Sequence, residues 1–383
     1  MQFKLPEELI EFRDVTREFA AEKIAPHARA WDEKKWIPEE VVAEAGRMGL
    51  LGVMTPEEYG GAGQSTLAMT VVLEELARQD GAFALMVEAH NGLCLAHLNI
   101  AASEAQKKKY LPDLASGKKV GSWCLSEPGC GSDAAALTCR AEKTSAGWLL
   151  NGQKHWVTSG KRAGVFVVMA RTKPERGSRS ISAFIVERGA KGMEIGEPED
   201  KMGMRGSDTV PVGFENCEVP AANLVGEPHG GYVDAMKVLD EGRFLVGALA
   251  VGLARGCLEE ALKYAGERQA FGKPLHGHQA IAFKLADMET QIEAARLLVR
   301  QAACAKDAGR PDKPLCSMAK LFASEMASRV CWEAIQILGG AGYTKDMPVE
   351  RLTRDSKLCE IGEGTSEVQR ILIARAQVQR RSA

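Results

Sequence analysis

What this 383-residue chain lacks narrows its function before any motif is read. It has almost no net charge: 49 Lys and Arg against 51 Asp and Glu leave −2, so no electrostatic footprint for nucleic acid or an anionic membrane is present. Nowhere do about 18 apolar residues run without a charge, which argues against a spanning helix. Its ten cysteines are scattered from Cys94 to Cys359 with no Cys-x-x-Cys pair and no histidine at finger-like spacing. That sets aside a zinc site and a disulfide framework and suits buried thiols of a reducing compartment. Met1 to Pro6 carry neither a basic start with an apolar run nor an Arg- and Ser-rich leader, so a cytoplasmic location is expected. Internal repeats and low-complexity segments are also missing. What remains, 45% hydrophobic and 26% charged residues, is the composition of a folded globular protein. At roughly 100–200 residues per domain, two or three domains are expected.

The texture of the chain changes twice. Apolar residues recur at helical spacing at Leu9, Phe12, Val15, Phe19 and Ile24, which predicts one amphipathic helix over Pro6 to Asp32. Further helices are expected at about 38–49, 65–79 and 104–116, with Tyr59 to Gly63 as a loop. From residue 120, short β-branched and aromatic runs predict strands at Val120–Ser126, Trp148–Leu150, Val165–Ala170, Ile181–Val186 and Thr209–Glu215. Asn151-Gly152 reads as a tight turn or bulge between Trp148–Leu150 and His155–Val157. After Gly230 long helices return at about 231–268, 277–308, 314–338 and 366–380. The expected domains are 1–118 (helical), 119–228 (β) and 229–383 (helical). This order, without βαβ alternation, argues for an α+β class rather than a doubly wound sheet.

Two apparent motifs fail on context. Gly129 to Ala134 matches a dinucleotide glycine pattern, but strand-like residues follow where a helix is required. Gly266 to Lys273 resembles a phosphate loop, except that five residues separate its glycines and Pro274 replaces the Ser or Thr. His276 and His278 have no third ligand nearby, so no metal is expected. Three other segments carry more. Ser126-Glu127-Pro128-Gly129-Cys130-Gly131-Ser132-Asp133 packs small residues and hydroxyls beyond a strand, suited to a polar cofactor or equally to a capped turn. Trp156-Val157-Thr158-Ser159-Gly160 sets an aromatic face beside two hydroxyls, as a planar heterocycle or a core tryptophan would want. In Ile361-Gly362-Glu363-Gly364-Thr365-Ser366-Glu367, a glutamate between glycines can be approached closely, and Thr365 or Ser366 can cap the next helix. Glu363 is a candidate general base if a ligand dries it, or a helix-start acid stabilised by the dipole.

Taken in order, the loop at 59–63, Leu125–Asp133, Trp156–Ser159, Met202–Thr209, Arg268–Gly272, Gln336–Gly342 and Gly362–Arg370 resemble the acyl-CoA dehydrogenase family over essentially the whole chain. The resemblance implies an N-terminal helical domain, a middle β-barrel-like domain and a C-terminal four-helix bundle. It also implies FAD and a homo-oligomer, usually a tetramer. By position, Trp123, Leu125, Ser126, Gly131, Ser132, Trp156 and Thr158 would line the flavin. Arg268, Phe271, Gln336 and Gly340 match residues that reach the diphosphate and adenosine part from a neighbouring subunit, where a guanidinium offers charge and a fork of donors. His278, Gln279, Gly339, Thr365 and Glu367 are further cofactor-side positions. Ser132, Ser207, Asp240, Arg243 and Gly364 match substrate positions.

The resemblance implies α,β-dehydrogenation of an acyl-CoA thioester to the 2-enoyl-CoA, with Glu363 as base, hydride passing to the flavin, and electron-transferring flavoprotein as acceptor. The family's enolate-like oxygen is met by the base residue's N–H and a flavin hydroxyl. Some relatives place the base on the helix near 240. Here that position is Gly242, and Glu241 is one residue out of register, so Glu363 is preferred. Gly362 and Gly242 replace larger residues, pointing to a short branched or cyclic acyl group. Alternatives are a flavin monooxygenase or oxidase of the same fold, and a non-catalytic acyl-CoA-binding protein.

Overall fold

The computed structural model describes residues 5–175 and 177–382. The outer limits of the expected domains, Met1 and Ala383, and most of the stretch read for a leader lie outside the described residues. Pro6, with no N–H to waste, starts α1 (Glu7–Phe19), whose first turn carries Glu7 and Glu8. The helix expected to reach Asp32 does not run on unbroken. A π-turn over Ala20–Ile24 shifts the apolar stripe, and α2 (Ala28–Lys34) stops at Lys35, which is left-handed at φ 55°. Periodicity alone could not show the break, because the apolar spacing tolerates one extra residue per turn.

Next come α3 (Glu39–Arg47), α4 (Thr66–Ala77) and α5 (Gly81–Glu88). Ser65 and Asp80 cap the last two by accepting from Ala68 N at 3.1 Å and Phe83 N at 2.7 Å. Then α5 passes through a second π-turn (Ala89–Leu95) into α6 (Ala96–Ala101), and Ser103 and Gln106 form a reciprocal capping box on α7 (Glu104–Ala115).

The sheet has β1 (Gly121–Cys124), β2 (Arg140–Lys143), β3 (Gly147–Thr158), β4 (Val165–Arg171), β5 (Ile181–Glu187), β6 (Met193–Ile195), β7 (Thr209–Pro220) and β8 (Leu224–Val225). They lie in the order β6-β7-β3-β2-β4-β5-β8, with β1 parallel to β4. Every residue of β4 is buried. Val165, Val167 and Met169 pack towards α6 and α7, and Phe166, Val168 and Ala170 pack into the sheet's own second core. That two-sided burial explains a continuous apolar run where alternation is usual. Of the tight turn or bulge expected at Asn151-Gly152, the structure has the bulge: β3 runs straight through, and the pairing with β7 shifts register between Leu150 and Gly152. Gly152 sits at φ 141° against Cys139, so the glycine serves a bulge rather than a hairpin.

The last part opens with α8 (Gly231–Glu267), 37 residues and about 55 Å long. A short hairpin, β9 (Gln269–Ala270) and β10 (Lys273–Pro274), leads to α9 (Gln279–Asp307), α10 (Lys313–Leu338), α11 (Pro348–Ser356) and α12 (Ser366–Ser382). Helix α11, hidden in a glycine-broken stretch, was not expected. α8 joins one core through Leu245, Leu249 and Leu253 with α4, α9 and α10. Buried charges bridge distant parts: Arg351 Nη1 donates to Asp80 Oδ2 at 2.7 Å, and Asp355 Oδ1 accepts from Met204 N at 2.5 Å. Burial raises the Asp355 carboxyl to about 7.

All ten cysteines are free, and all but Cys304 are buried. Among the described residues no helix is long and apolar enough to cross a membrane, and no His/Cys/Asp/Glu group could hold a metal.

Candidate active site

One half of the site is built at the ends of β1 and β3. The loop from Leu125 to Cys139 is organised around Glu127, which is buried at 5% exposure. It accepts from Thr138 N at 2.6 Å, Thr138 Oγ1 at 2.8 Å, Cys139 N at 2.9 Å and Lys154 Nζ at 2.8 Å. Burial alone would push this carboxyl up, but Lys154 and the backbone donors hold it below its usual value. Lys154 also donates to Leu125 O at 3.0 Å. The result is a rigid base on which Leu125 is buried, Ser126 half-buried, and Gly131 and Ser132 open to solvent.

Two residues beyond Lys154, a second register shift puts Trp156 at φ 59° and turns its indole outward, edge-on to His155. Thr158 O accepts from Ser122 Oγ at 2.7 Å, locking β3 to β1. Trp123 donates from Nε1 to His97 Nδ1 at 3.2 Å. The loop bearing Ser207 reaches the same strand end, where Asp208 O accepts from Ser159 N and Asp208 Oδ2 from Lys161 N. The Ser207 hydroxyl is buried with no partner among the described residues.

The other half lies where α5, α8 and α10 meet the turn before α12. Glu363 occupies that turn at φ 54°, followed by Gly364 at 95°, and Thr365 Oγ1 accepts from Val368 N at 3.3 Å to cap α12. The residue as a whole is part-exposed, yet its Oε2 is shut off from solvent and unpartnered. It lies directly over Gly242 of α8: a Cβ there would collide with Oε2. Glu241 points away and is paired with Lys306. Arg243 pairs with Asp240, which also meets Lys313 at 2.9 Å, and Arg243 Nε is left without a partner. Glu367 is exposed on the first turn of α12.

Two residues at this end were missed by sequence reasoning. Glu88, the last residue of α5, is fully buried, and neither of its oxygens has a hydrogen-bond partner. It faces the Glu363 carboxyl instead, to which its protonated form can donate. Burial first, and then this like-charged neighbour, push Glu88 far up. Burial raises Glu363 too, against the opposing pull of Glu88's hydrogen-bonding, Lys320 and Arg243. Such a pair holds one proton between two carboxyls across a wide pH range. The sequence did carry a signal: Glu88 is the lone carboxylate in the mostly apolar run from Gly81 to Ala96. The second residue is Lys320, buried in α10, whose Nζ donates to Gly364 O at 2.8 Å.

A third set stands apart. Arg268, Phe271 and Gln279 are exposed around the β9–β10 hairpin, where His278 Nε2 donates to Ala270 O at 2.9 Å. Gln336, Gly339 and Gly340 are exposed at the end of α10. Among the described residues no hydrogen bond, ion pair or ring contact links either group to Trp156 or Thr158 within one copy. Phe271 is 97% exposed.

Sequence profiles for the acyl-CoA dehydrogenase N-terminal, middle and C-terminal domains match residues 6–118, 122–217 and 229–378. The short-chain specific acyl-CoA dehydrogenase of Clostridium acetobutylicum is 42% identical over 374 residues, 98% of this chain and 99% of that protein. Butyryl-CoA dehydrogenase from Megasphaera elsdenii superposes with a TM-score of 0.96 at 40% identity, covering 99% of this chain and 100% of that one. A chain solved in work on the electron transferring flavoprotein of Acidaminococcus fermentans and flavin-based electron bifurcation gives 0.97 at 41% identity, covering 98% and 99%. The chain therefore belongs to the acyl-CoA dehydrogenase family, FAD-dependent flavoprotein oxidoreductases that act on CH–CH groups. Its residues fit that cofactor chemically. Trp156 offers an exposed aromatic face, the space where a Cβ would stand at Gly129 and Gly131 is open, and Arg268 is an unburied guanidinium.

Proposed function

We propose that this enzyme dehydrogenates a short, branched or cyclic acyl-CoA at its α and β carbons, giving the 2-enoyl-CoA, with Glu363 as the base. The observation that carries the reading is the buried, unpartnered Oε2 of Glu363 above Gly242. A carboxylate oxygen left without a donor in a dry place is costly unless a ligand group comes to it. Glu363 takes the proton from the carbon next to the thioester carbonyl. Its own backbone N–H, held by the left-handed turn, meets the developing negative charge on the carbonyl oxygen. Glu88 keeps a proton beside it, so one carboxyl of the pair is ionised and free to accept. Bound FAD supplies the acceptor for the hydride lost from the β carbon. Trp156 and Thr158 would hold the flavin ring, Ser126 and Gly131 its surroundings, and Ser207, with its free hydroxyl, the coenzyme A side.

Chain choice follows from missing side chains. Gly92 lies against Glu88, Gly242 against Glu363, and Gly362 precedes the base, where a Cβ would make only ordinary contact with Leu358. Three glycines around two carboxyls leave breadth rather than depth, which suits a branch or a ring. The short-chain and butyryl-CoA relatives support the short end of that range. Assembly into a homotetramer is supported by large apolar side chains uncovered in one copy: Phe271, Tyr343, Trp332 and Phe283 are 97%, 86%, 62% and 58% exposed. An electron-transferring flavoprotein is the proposed acceptor, in keeping with the Acidaminococcus neighbour.

The test is the visible spectrum of the FAD-loaded protein during anaerobic addition of butyryl-, isobutyryl-, cyclohexanecarbonyl- and palmitoyl-CoA. Bleaching of the flavin band by isobutyryl- or cyclohexanecarbonyl-CoA faster than by palmitoyl-CoA is expected; the reverse order sinks the specificity reading. A band that no thioester bleaches sinks the dehydrogenase reading itself.

A further inference from the structure

We infer that Lys320 is a positioning residue for the base: its ammonium grips the carbonyl of Gly364 and thereby fixes the turn that aims the Glu363 carboxyl. This rests on the reading of Glu363 as base. Lys320 sits in the N-terminal third of α10 and is fully buried. Among the described residues no carboxylate lies within ion-pair distance of it; its partner is a backbone carbonyl at 2.8 Å. An ammonium buried without a counter-ion is an expensive way to fill space, and an apolar side chain of the same length would cost far less. Something other than packing must use it.

The carbonyl it holds belongs to the residue immediately after the base. Glu363 is left-handed at φ 54°, a conformation sparsely populated by residues with a side chain and kept only where the surroundings impose it. Gln369, also fully buried, donates from Nε2 to the same Gly364 oxygen at 2.8 Å and to Glu363 O at 3.5 Å. Two buried side chains from two helices thus converge on one carbonyl, with the base on the peptide next to it. The charged and titratable groups around Lys320 are Cys359 and Glu360 from the preceding turn, Glu363 itself and Arg243 from α8. The cation is therefore also the nearest charge from α10 to the base. Released from Lys320, the turn is free to relax away from the left-handed region, and Oε2 loses its place over Gly242.

The experiment compares the FAD-loaded full-length enzyme with Lys320→Met, Lys320→Gln and Glu363→Gln. Bound FAD, melting temperature, kcat and KM are measured with butyryl-CoA, together with exchange of its α-proton into D2O on pre-reduced enzyme. For Lys320→Met, kcat and the exchange rate per bound FAD are expected to fall about 100-fold with KM held within about threefold, as a small misplacement of a reacting group allows. Lys320→Gln keeps a donor without the charge and one atom shorter; it should recover part of the loss and remain about tenfold below the parent. Exchange in Lys320→Met within about twofold of the parent, whatever happens to the melting temperature, overturns the assignment. If that variant fails to hold FAD, Lys320→Gln decides, and parent-like exchange there overturns it equally. Parent-like exchange in Glu363→Gln would instead defeat the base reading, and the Lys320 role with it.

Discussion

Two glutamates with oxygens shut off from solvent, Glu127 in the β part and Glu363 among the helices, have opposite surroundings. Glu127 is saturated: two backbone N–H groups, a hydroxyl and the buried ammonium of Lys154 meet its oxygens. Glu363 has an oxygen with no donor, a second carboxyl against it, and Lys320 and Arg243 acting on it without an ion pair. Burial acts on both, yet it leaves one below its usual carboxylate range and the other above. The lesson is that burial alone does not mark a reacting group. A satisfied buried acid organises a loop, whereas an unsatisfied one is waiting for something.

Removing Lys154 gives the largest expected effect on stability and would sharpen the contrast. Lys154→Met leaves Glu127 buried and unpaired and should cost about 3–5 kcal/mol, read by thermal unfolding of the FAD-loaded protein. Glu88→Gln, by contrast, exchanges a protonated carboxyl for a neutral amide of the same shape and should change stability by less than about 1 kcal/mol. If both variants melt alike, the distinction between the two acids is broken. Filling the space under the base comes next: Gly242→Ala drives a methyl into Glu363 Oε2. Turnover is expected to fall by at least about tenfold with FAD still bound.

The smallest effect is on pH dependence. Because burial raises the Glu363 carboxyl, the protonated, idle form persists to higher pH than for an ordinary glutamate, and activity is lost as pH falls through that raised value. Glu88→Leu removes the protonated neighbour whose hydrogen-bonding pulls Glu363 down, so the acid limb of kcat should move to higher pH. A limb that stays in place, or moves down, breaks the claim that the two carboxyls share a proton.

Much of this was legible in residues. The three-part order showed in the switch from helical spacing to β-branched runs and back, and Glu363 stood out between its glycines. What was hidden depended on contacts over long separations. Glu88 looked like one acid in an apolar run because its neighbour lies 275 residues on, the difference between positions 363 and 88. Lys320 is a commonplace residue in a helix until the turn before α12 folds back onto it. The break at Ala20–Ile24 escaped, and the choice between turn and bulge at Asn151-Gly152 stayed open, because local patterns hold through a π-turn or a bulge.

The bridge from Asp80 to Arg351 has a consequence for how the chain is made. The two residues are 271 positions apart, and Met204 reaches Asp355 across 151. On the ribosome, α4 and α5 emerge with Asp80 already inside an apolar segment, but its cation arrives only after 271 further residues have been synthesised. Until then the N-terminal helices carry a buried acid with no counter-ion. Their final packing therefore waits for Arg351, and nascent chains stalled before it should be the ones that chaperones retain.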